Sequence, residues 1–229
     1  SSGSNSSDGA LNLTTPGNIV FDPKSFNPPL DPDGDGIYHF TTINIGAGVT
    51  VFFTARNLNG PLYWLASGPV QIDGAMVLSG ETGHPSSATS ASNRYPAYPG
   101  PGGFFGGIGG RAGGAGDLPA QSGGGPGGGA AGTNSSQTGQ PGTYTGNQFA
   151  VPLIGGSGGG GGVNNGGSSG VGVAGGGGGG GGAILLASSV SIRVNGSIEV
   201  RGNSPGAGGG GGASGAIRLV SNTISGTGF

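Results

Sequence analysis

The sequence predicts an all-β chain of β-solenoid coils, interrupted by a glycine-rich polyglycine II bundle and containing no α-helix. Three observations predict it. No segment carries an apolar period near 3.6, and with one lysine, two glutamates and alanines scattered among glycines the helix propensity is poor throughout. Short stretches alternate apolar and polar residues with period two and come back in register later in the chain. Glycine supplies 62 of the 229 residues, much of it in uninterrupted runs.

The strand signal lies in three places. Within 37–80, Val49, Val51 and Phe53 alternate, and the alternation resumes in Val70, Ile72, Gly74, Met76 and Leu78. Within 183–200 it runs through Val190, Ile192, Val194, Ile198 and Val200, and within 216–224 through Ile217, Leu219 and Ile224. The three are copies of one unit. Val70-Gln-Ile72-Asp-Gly74-Ala-Met76-Val-Leu78-Ser-Gly80 superposes on Ile192-Arg-Val194-Asn-Gly196-Ser-Ile198-Glu-Val200-Arg-Gly202 at a constant offset of 122. Upstream, Trp64-Leu-Ala-Ser67 aligns with Leu185-Leu-Ala-Ser188, one residue out of that offset. Gly182-Ala-Ile184 recurs as Gly215-Ala-Ile217 after 33 residues. Asp-Gly and Asn-Gly pairs close two-residue hairpins as well as coil corners. Because the pattern here repeats instead of reversing, coils stacked like solenoid rungs are expected.

Between the copies lie the glycine runs, chiefly 106–110 around Ile108, 123–129 around Pro126, 158–162 and 175–182, with 208–212 separating the second and third copies. A residue without a side chain fills no core, so these runs build no ordinary strand layer. Fixing each backbone costs about 1–2 kcal/mol, and glycine has the most freedom to lose. The 46 Leu, Ile, Val and Phe residues are too few to offset that for 62 glycines, so an ordered state requires dense main-chain hydrogen bonding. Left-handed threefold helices, at about 3.1 Å per residue, offer such bonding when packed side by side, and the octet then spans about 25 Å. The expected organisation is an N-terminal extension over 1–35, a first solenoid part over 36–82, the glycine-rich excursion over 83–182 and a second solenoid part over 183–229, within one compact domain.

At this point a resemblance enters. Gly182-Ala-Ile-Leu-Leu-Ala-Ser-Ser and Gly215-Ala-Ile-Arg-Leu-Val-Ser-Asn-Thr-Ile-Ser-Gly-Thr-Gly, together with Tyr38-His-Phe-Thr-Thr-Ile-Asn-Ile45 and Gly48-Val-Thr-Val51, resemble the glycine-rich β-solenoid surface proteins of environmental bacteria. The likeness covers about half the chain and concerns framework residues. The glycine runs are also similar to those of glycine-rich insect antifreeze proteins and phage tail-tip adhesins. Neither resemblance implies a catalytic residue.

Composition narrows the function. Charged residues are 7% of the chain and the net charge is −2, which argues against a nucleic-acid partner. Cysteine is absent, so there is no disulfide frame and no thiolate metal site. No apolar stretch reaches the roughly 20 residues of a membrane helix. Residues 1–7 read as a polar tail left after processing, and the many Ser, Thr, Asn and Gly suit an extracellular or cell-surface protein. Glycosylation acceptors stand at Asn5, Asn12, Asn134 and Asn195. Catalysis is not expected: carboxylates are sparse outside 31–35, and His39 and His84 are isolated in sequence.

Four sets of residues carry the functional expectations. Asp31, Asp33 and Asp35 of Asp-Pro-Asp-Gly-Asp-Gly alternate on a turn as calcium ligands do, although Thr42 stands where a calcium loop has its bidentate glutamate, so calcium is the one cofactor expectation. Ile217, Leu219, Ile224 and Phe229 form an unfinished last coil with an unprotected edge. Leu11, Leu13, Ile19, Val20 and Phe21 form an N-terminal β-prone stretch that either docks on the next subunit's edge or caps its own first coil. Tyr95, Tyr98, Phe104 and Phe105 are aromatic residues amid Pro and Gly that either contact a ligand or plug the bundle. The expected function is a structural subunit of an extracellular filament or surface layer, a homopolymer assembled head to tail. The alternative is an adhesin that binds glycans or another surface.

Overall fold

We describe a computed structural model covering residues 1–32, 34–85, 94–112, 118–133, 138–163 and 172–228. The described residues are essentially all β. Their only helical element is one 3-10 turn, Pro23–Ser25, with Asp22 as its N-cap. The chain divides into two compact units. Unit 1 comprises Ser1–Leu78, Ile184–Glu199 and Ile217–Phe229, and unit 2 comprises Ser79–Ala183 and Val200–Ala216. The N-terminal extension is therefore part of unit 1, and the glycine-rich part takes back residues 200–216, which sequence reasoning assigned to the second solenoid part.

Unit 1 has two sheets. The first holds β1 (Gly9–Leu13), β3 (Ile37–Ile45), β5 (Leu62–Ala66), β6 (Val70–Ile72), β10 (Ala183–Ser188), β11 (Ile192–Val194), β13 (Ala216–Val220) and β14 (Ile224–Ser225). The second holds β2 (Gly17–Val20), β4 (Val49–Phe52), β7 (Ala75–Val77) and β12 (Ser197–Glu199), in the order β12-β7-β4-β2. β1 pairs with β3, β3 with β5 and β6, β5 with β10, β6 with β11, and β11 with β14, all parallel. The second sheet is parallel throughout as well. The chain visits the first sheet, then the second, and returns to the first beside its previous pass.

The internal repeat is this register. Ile192 faces Val70, Val194 faces Ile72 and Ile198 faces Met76, each at the offset of 122. The expected one-residue slip upstream is not there. Leu186 faces Trp64 and Ser188 faces Ala66, at the same offset. Sequence similarity aligns Leu-Ala-Ser with Leu-Ala-Ser, whereas the pleat matches the inward Trp64 to the inward Leu186, since a slip of one residue reverses every side chain.

Inward residues stack in rows across the ladder. One row runs Leu11, Ile43, Val70, Ile192, Ile224, and its neighbour in the second sheet runs Ile19, Val51, Met76, Ile198. Phe21 is fully buried, its ring 5.2 Å from those of Phe53 and Trp64 and 5.7 Å from those of Phe26 and Tyr38, mostly in the tilted and edge-on arrangements aromatic rings prefer.

The corners explain the Asp-Gly and Asn-Gly pairs. The N–H groups of Asp73 and Gly74 both donate to the Ile45 carbonyl, and those of Asn195 and Gly196 to the Ile72 carbonyl. Each corner thus sits on the one before it and hands the chain from one sheet to the other. A Cβ on Gly196 would lie 1.7 Å from the Gly74 carbonyl oxygen, so close approach selects glycine there. Asn195 Nδ2 donates to Asp73 Oδ1 at 2.6 Å along the same column. Hydrogen bonds from Gln71 and Asn195, with the Arg193 charge, hold the Asp73 carboxyl below the usual carboxylate range.

Unit 2 carries a different hydrogen-bond pattern. Its run 175–182 is wholly buried, and its donors step by three. The N–H groups of Gly175, Gly178 and Gly181 donate to the carbonyls of Ala207, Gly210 and Ala213. Those of Gly177, Gly180 and Ala183 donate to Gly107, Phe104 and Pro101, and those of Gly176 and Gly179 to His84 and Glu81. The carbonyls of Gly175, Gly178 and Gly181 in turn accept from Gly162, Gly159 and Gly156. None of these partners lies within the run itself. The one named strand pair among the described residues of this unit is the short antiparallel β8 (Arg111–Ala112) with β9 (Gly172–Val173).

Candidate functional site

The two ends of the unit 1 ladder differ. At the β1 end the inward row closes on Leu11, 2% exposed, and the segment after β2 supplies further buried side chains, Pro23 and Leu30. At the β14 end the same row finishes on Ile224, 51% exposed, with Val220 and Ile217 also exposed and Leu219 half-buried. Ile217, Leu219 and Ile224 line an apolar cavity of about 330 Å³, floored by Val194 and Ile198 and bounded by Gly226 and Gly228. The cause lies in the ladder: β12 is the last strand of its sheet, so no strand among the described residues pairs with its outer edge, although Ile198 itself is only 8% exposed. Ile217, Leu219 and Ile224 therefore come together as the sequence suggested; Phe229 lies outside the described residues. Val194 and Ile198 were read only as repeat positions; Ile198 is buried and Val194 half-buried.

The N-terminal residues of the same expectation behave otherwise. Leu11, Leu13, Ile19, Val20 and Phe21 belong to the chain's own ladder, β1 on β3 and β2 on β4. Donation of this stretch to another subunit is corrected accordingly. Phe21 and Leu11 are core side chains of unit 1, and removing Phe21 would leave a cavity among Tyr38, Phe53 and Trp64. Val20, 59% exposed, faces outward.

The acidic turn serves the backbone. Asp31 adopts φ +52°, a left-handed conformation that Asp tolerates better than most residues. Its Oδ1 accepts from the Asp35 N–H at 3.1 Å and its Oδ2 from the Gly36 N–H at 3.0 Å. Asp35 Oδ1 accepts from the Ile37 N–H at 2.8 Å, starting β3. Asp33 lies outside the described residues. Both described carboxylates are committed to shaping the turn, and among the described residues no three His, Cys, Asp or Glu side chains are grouped to hold a metal ion.

In unit 2 the aromatic residues form pairs. The rings of Tyr98 and Phe105 meet edge to face at 5.1 Å. The Tyr95 ring lies 4.5 Å from the His84 ring. Phe104 turns away, its ring 2.7 Å from where a Cβ on Gly125 would stand. His84 Nε2 is 3.4 Å from Glu81 Oε2, and Glu81 exchanges main-chain contact with Tyr98, its N–H donating to the Tyr98 carbonyl at 2.7 Å. Sequence reasoning set His84 aside as isolated and did not single out Glu81. The signal was available in the spacing: 81 and 84, like 95 and 98, are three residues apart. His39 serves the fold, its Nδ1 accepting from the Asn5 N–H at 3.2 Å.

No family of proteins, no curated protein and no solved structure matches the chain. No helix among the described residues is long and apolar enough to cross a membrane.

Proposed function

We propose that the chain is a non-catalytic structural subunit of an extracellular filament or surface layer, assembling head to tail. Unit 1 is read as a β-solenoid, supported by parallel pairing, the unvarying order of visits to two sheets and corners stacked at one offset. Unit 2 is read as a polyglycine II bundle, supported by donors that step by three with every partner on a neighbouring run, since a helix of three residues per turn without internal bonds meets each neighbour once per turn. Both constructions are stiff and hold few side chains for chemistry, which suits building material.

The single observation that carries the assembly is the uncovered end at β12, β13 and β14. It combines the apolar cavity around Ile224 with strand edges on β12, β13 and β14 that no strand among the described residues pairs with. In the filament the β14 edge meets the outer edge of β1 of the next copy, which continues the first sheet's parallel ladder without exchanging a strand. The contact is heterologous and propagates. Purified protein is expected to form filaments by electron microscopy. Ile224→Lys places a charge in the cavity and is expected to raise the concentration needed for assembly at least about tenfold, about 1.4 kcal/mol per contact, with the fold intact by circular dichroism. Wild-type protein that stays monomeric at high concentration, or filaments indifferent to the substitution, would contradict the reading.

A further inference from the structure

Five side chains of unit 2 meet in one strip: Tyr95 against His84, His84 beside Glu81, and Tyr98 against Phe105. In an extended chain of three residues per turn, positions i and i+3 share a face, so Glu81 and His84 point the same way, as do Tyr95 and Tyr98. The two segments run antiparallel, Glu81 against Tyr98 and His84 against Tyr95. A third segment adds Phe105 beside Tyr98, reached through the turn at 100–103, where the Gly103 N–H donates to the Gly100 carbonyl and Gly102 has φ +75°. The strip therefore reads Tyr95, His84, Glu81, Tyr98, Phe105. Its end rings are the exposed ones, Tyr95 at 51% and Phe105 at 44%, while Glu81 and His84 keep 32% and 28% of their side chains in contact with solvent.

We propose that this strip binds an extended neutral polysaccharide. Aromatic rings offer flat apolar faces to the C–H faces of pyranose rings. Between them, Glu81 Oε2 accepts from the Tyr98 N–H at 3.3 Å and stands 3.4 Å from the buried His84 Nε2, which fixes a polar centre beside the rings. Three residues of extended chain separate Tyr95 from Tyr98 by about 9 Å, close to the length of two sugar units in an extended chain. The polar centre pairs a carboxylate with an imidazole, so it offers no cationic patch for an acidic lipid surface or nucleic acid. The inference is independent of the filament reading: the strip lies within unit 2, and the assembly end within unit 1.

The test is co-sedimentation of the full chain with microcrystalline cellulose and with chitin, alongside nuclear magnetic resonance titration with cellohexaose. Wild-type protein is expected to be retained on at least one polysaccharide. Tyr95→Ala and Phe105→Ala are each expected to weaken retention on the order of tenfold, as loss of an aromatic stack does, without moving the thermal unfolding of either unit. Glu81→Gln, which keeps the shape and an acceptor, is expected to retain part of the binding. Wild-type protein that neither polysaccharide retains, or retention unchanged in both alanine variants, overturns the proposal. So does an effect of Tyr95→Ala confined to self-association, which would make the strip a protein interface. Wild-type protein that forms no filaments yet binds cellulose would sink the assembly reading and leave this one standing.

Discussion

Gly180→Ala is expected to unfold unit 2, at a cost of about 4 kcal/mol or more. The added Cβ would stand 1.8 Å from the Gly156 carbonyl oxygen, a distance no side chain tolerates. The neighbour cannot yield cheaply, because the run bearing Gly156 is itself bonded on several sides, the Gly156 N–H to the Gly181 carbonyl and the Gly156 carbonyl to the Phe104 N–H. Gly211→Ala makes the same chemical change in another run and is expected to do the opposite. Its Cβ would find nothing nearer than the Asn203 carbonyl oxygen at 3.7 Å, and its backbone lies outside the left-handed region. There the loss of freedom in the unfolded chain dominates, and the variant should gain about 0.4–1 kcal/mol. Thermal denaturation of the two variants beside the wild type decides the matter. Equal, small effects would mean that the runs do not pack as described.

Phe21→Ala is expected to cost unit 1 about 3–5 kcal/mol, the range for emptying a buried aromatic site. Phe21 is 0% exposed and touches four aromatic rings, among them that of Trp64, the chain's only tryptophan. Trp64 emission should shift to the red as its surroundings loosen, which gives a direct readout. Val20→Ala, one residue away on the exposed side, should change stability by about 0.5 kcal/mol or less. A Phe21→Ala variant as stable as wild type would return the N-terminal stretch to the status of a strand held for another subunit.

Much of the parallel ladder was legible because parallel strands paired at a constant offset write their register into the sequence. The offset of 122 between Val70 and Ile192 is the pairing of β6 with β11, and a pattern that repeats at one offset instead of reversing favours coil corners over hairpins. The error upstream, where Trp64 was set against Leu185, came from matching letters where the pleat matches faces. The placement of residues 9–21 was not legible, since a strand on its own ladder and a strand on a neighbour's have the same alternation. Nor was the strip from Tyr95 to Phe105. Its members come from three segments, and they converge through main-chain bonds such as that from the Glu81 N–H to the Tyr98 carbonyl, which the sequence does not display. The acidic turn reads two ways from sequence: alternate aspartates suit a cation, and the same carboxylates close a turn on backbone N–H groups, as Asp31 does.

Amide hydrogen exchange over 155–162 and 175–182 bears most directly on how a chain so poor in side chains holds its shape. If every N–H in these runs is bonded to a neighbouring run, exchange awaits the opening of the unit as a whole, and protection factors of about a thousand or more are expected. Exchange at the rate of an unfolded peptide in those runs would mean that they are solvated, and neither the bundle nor the rigid subunit built on it would stand.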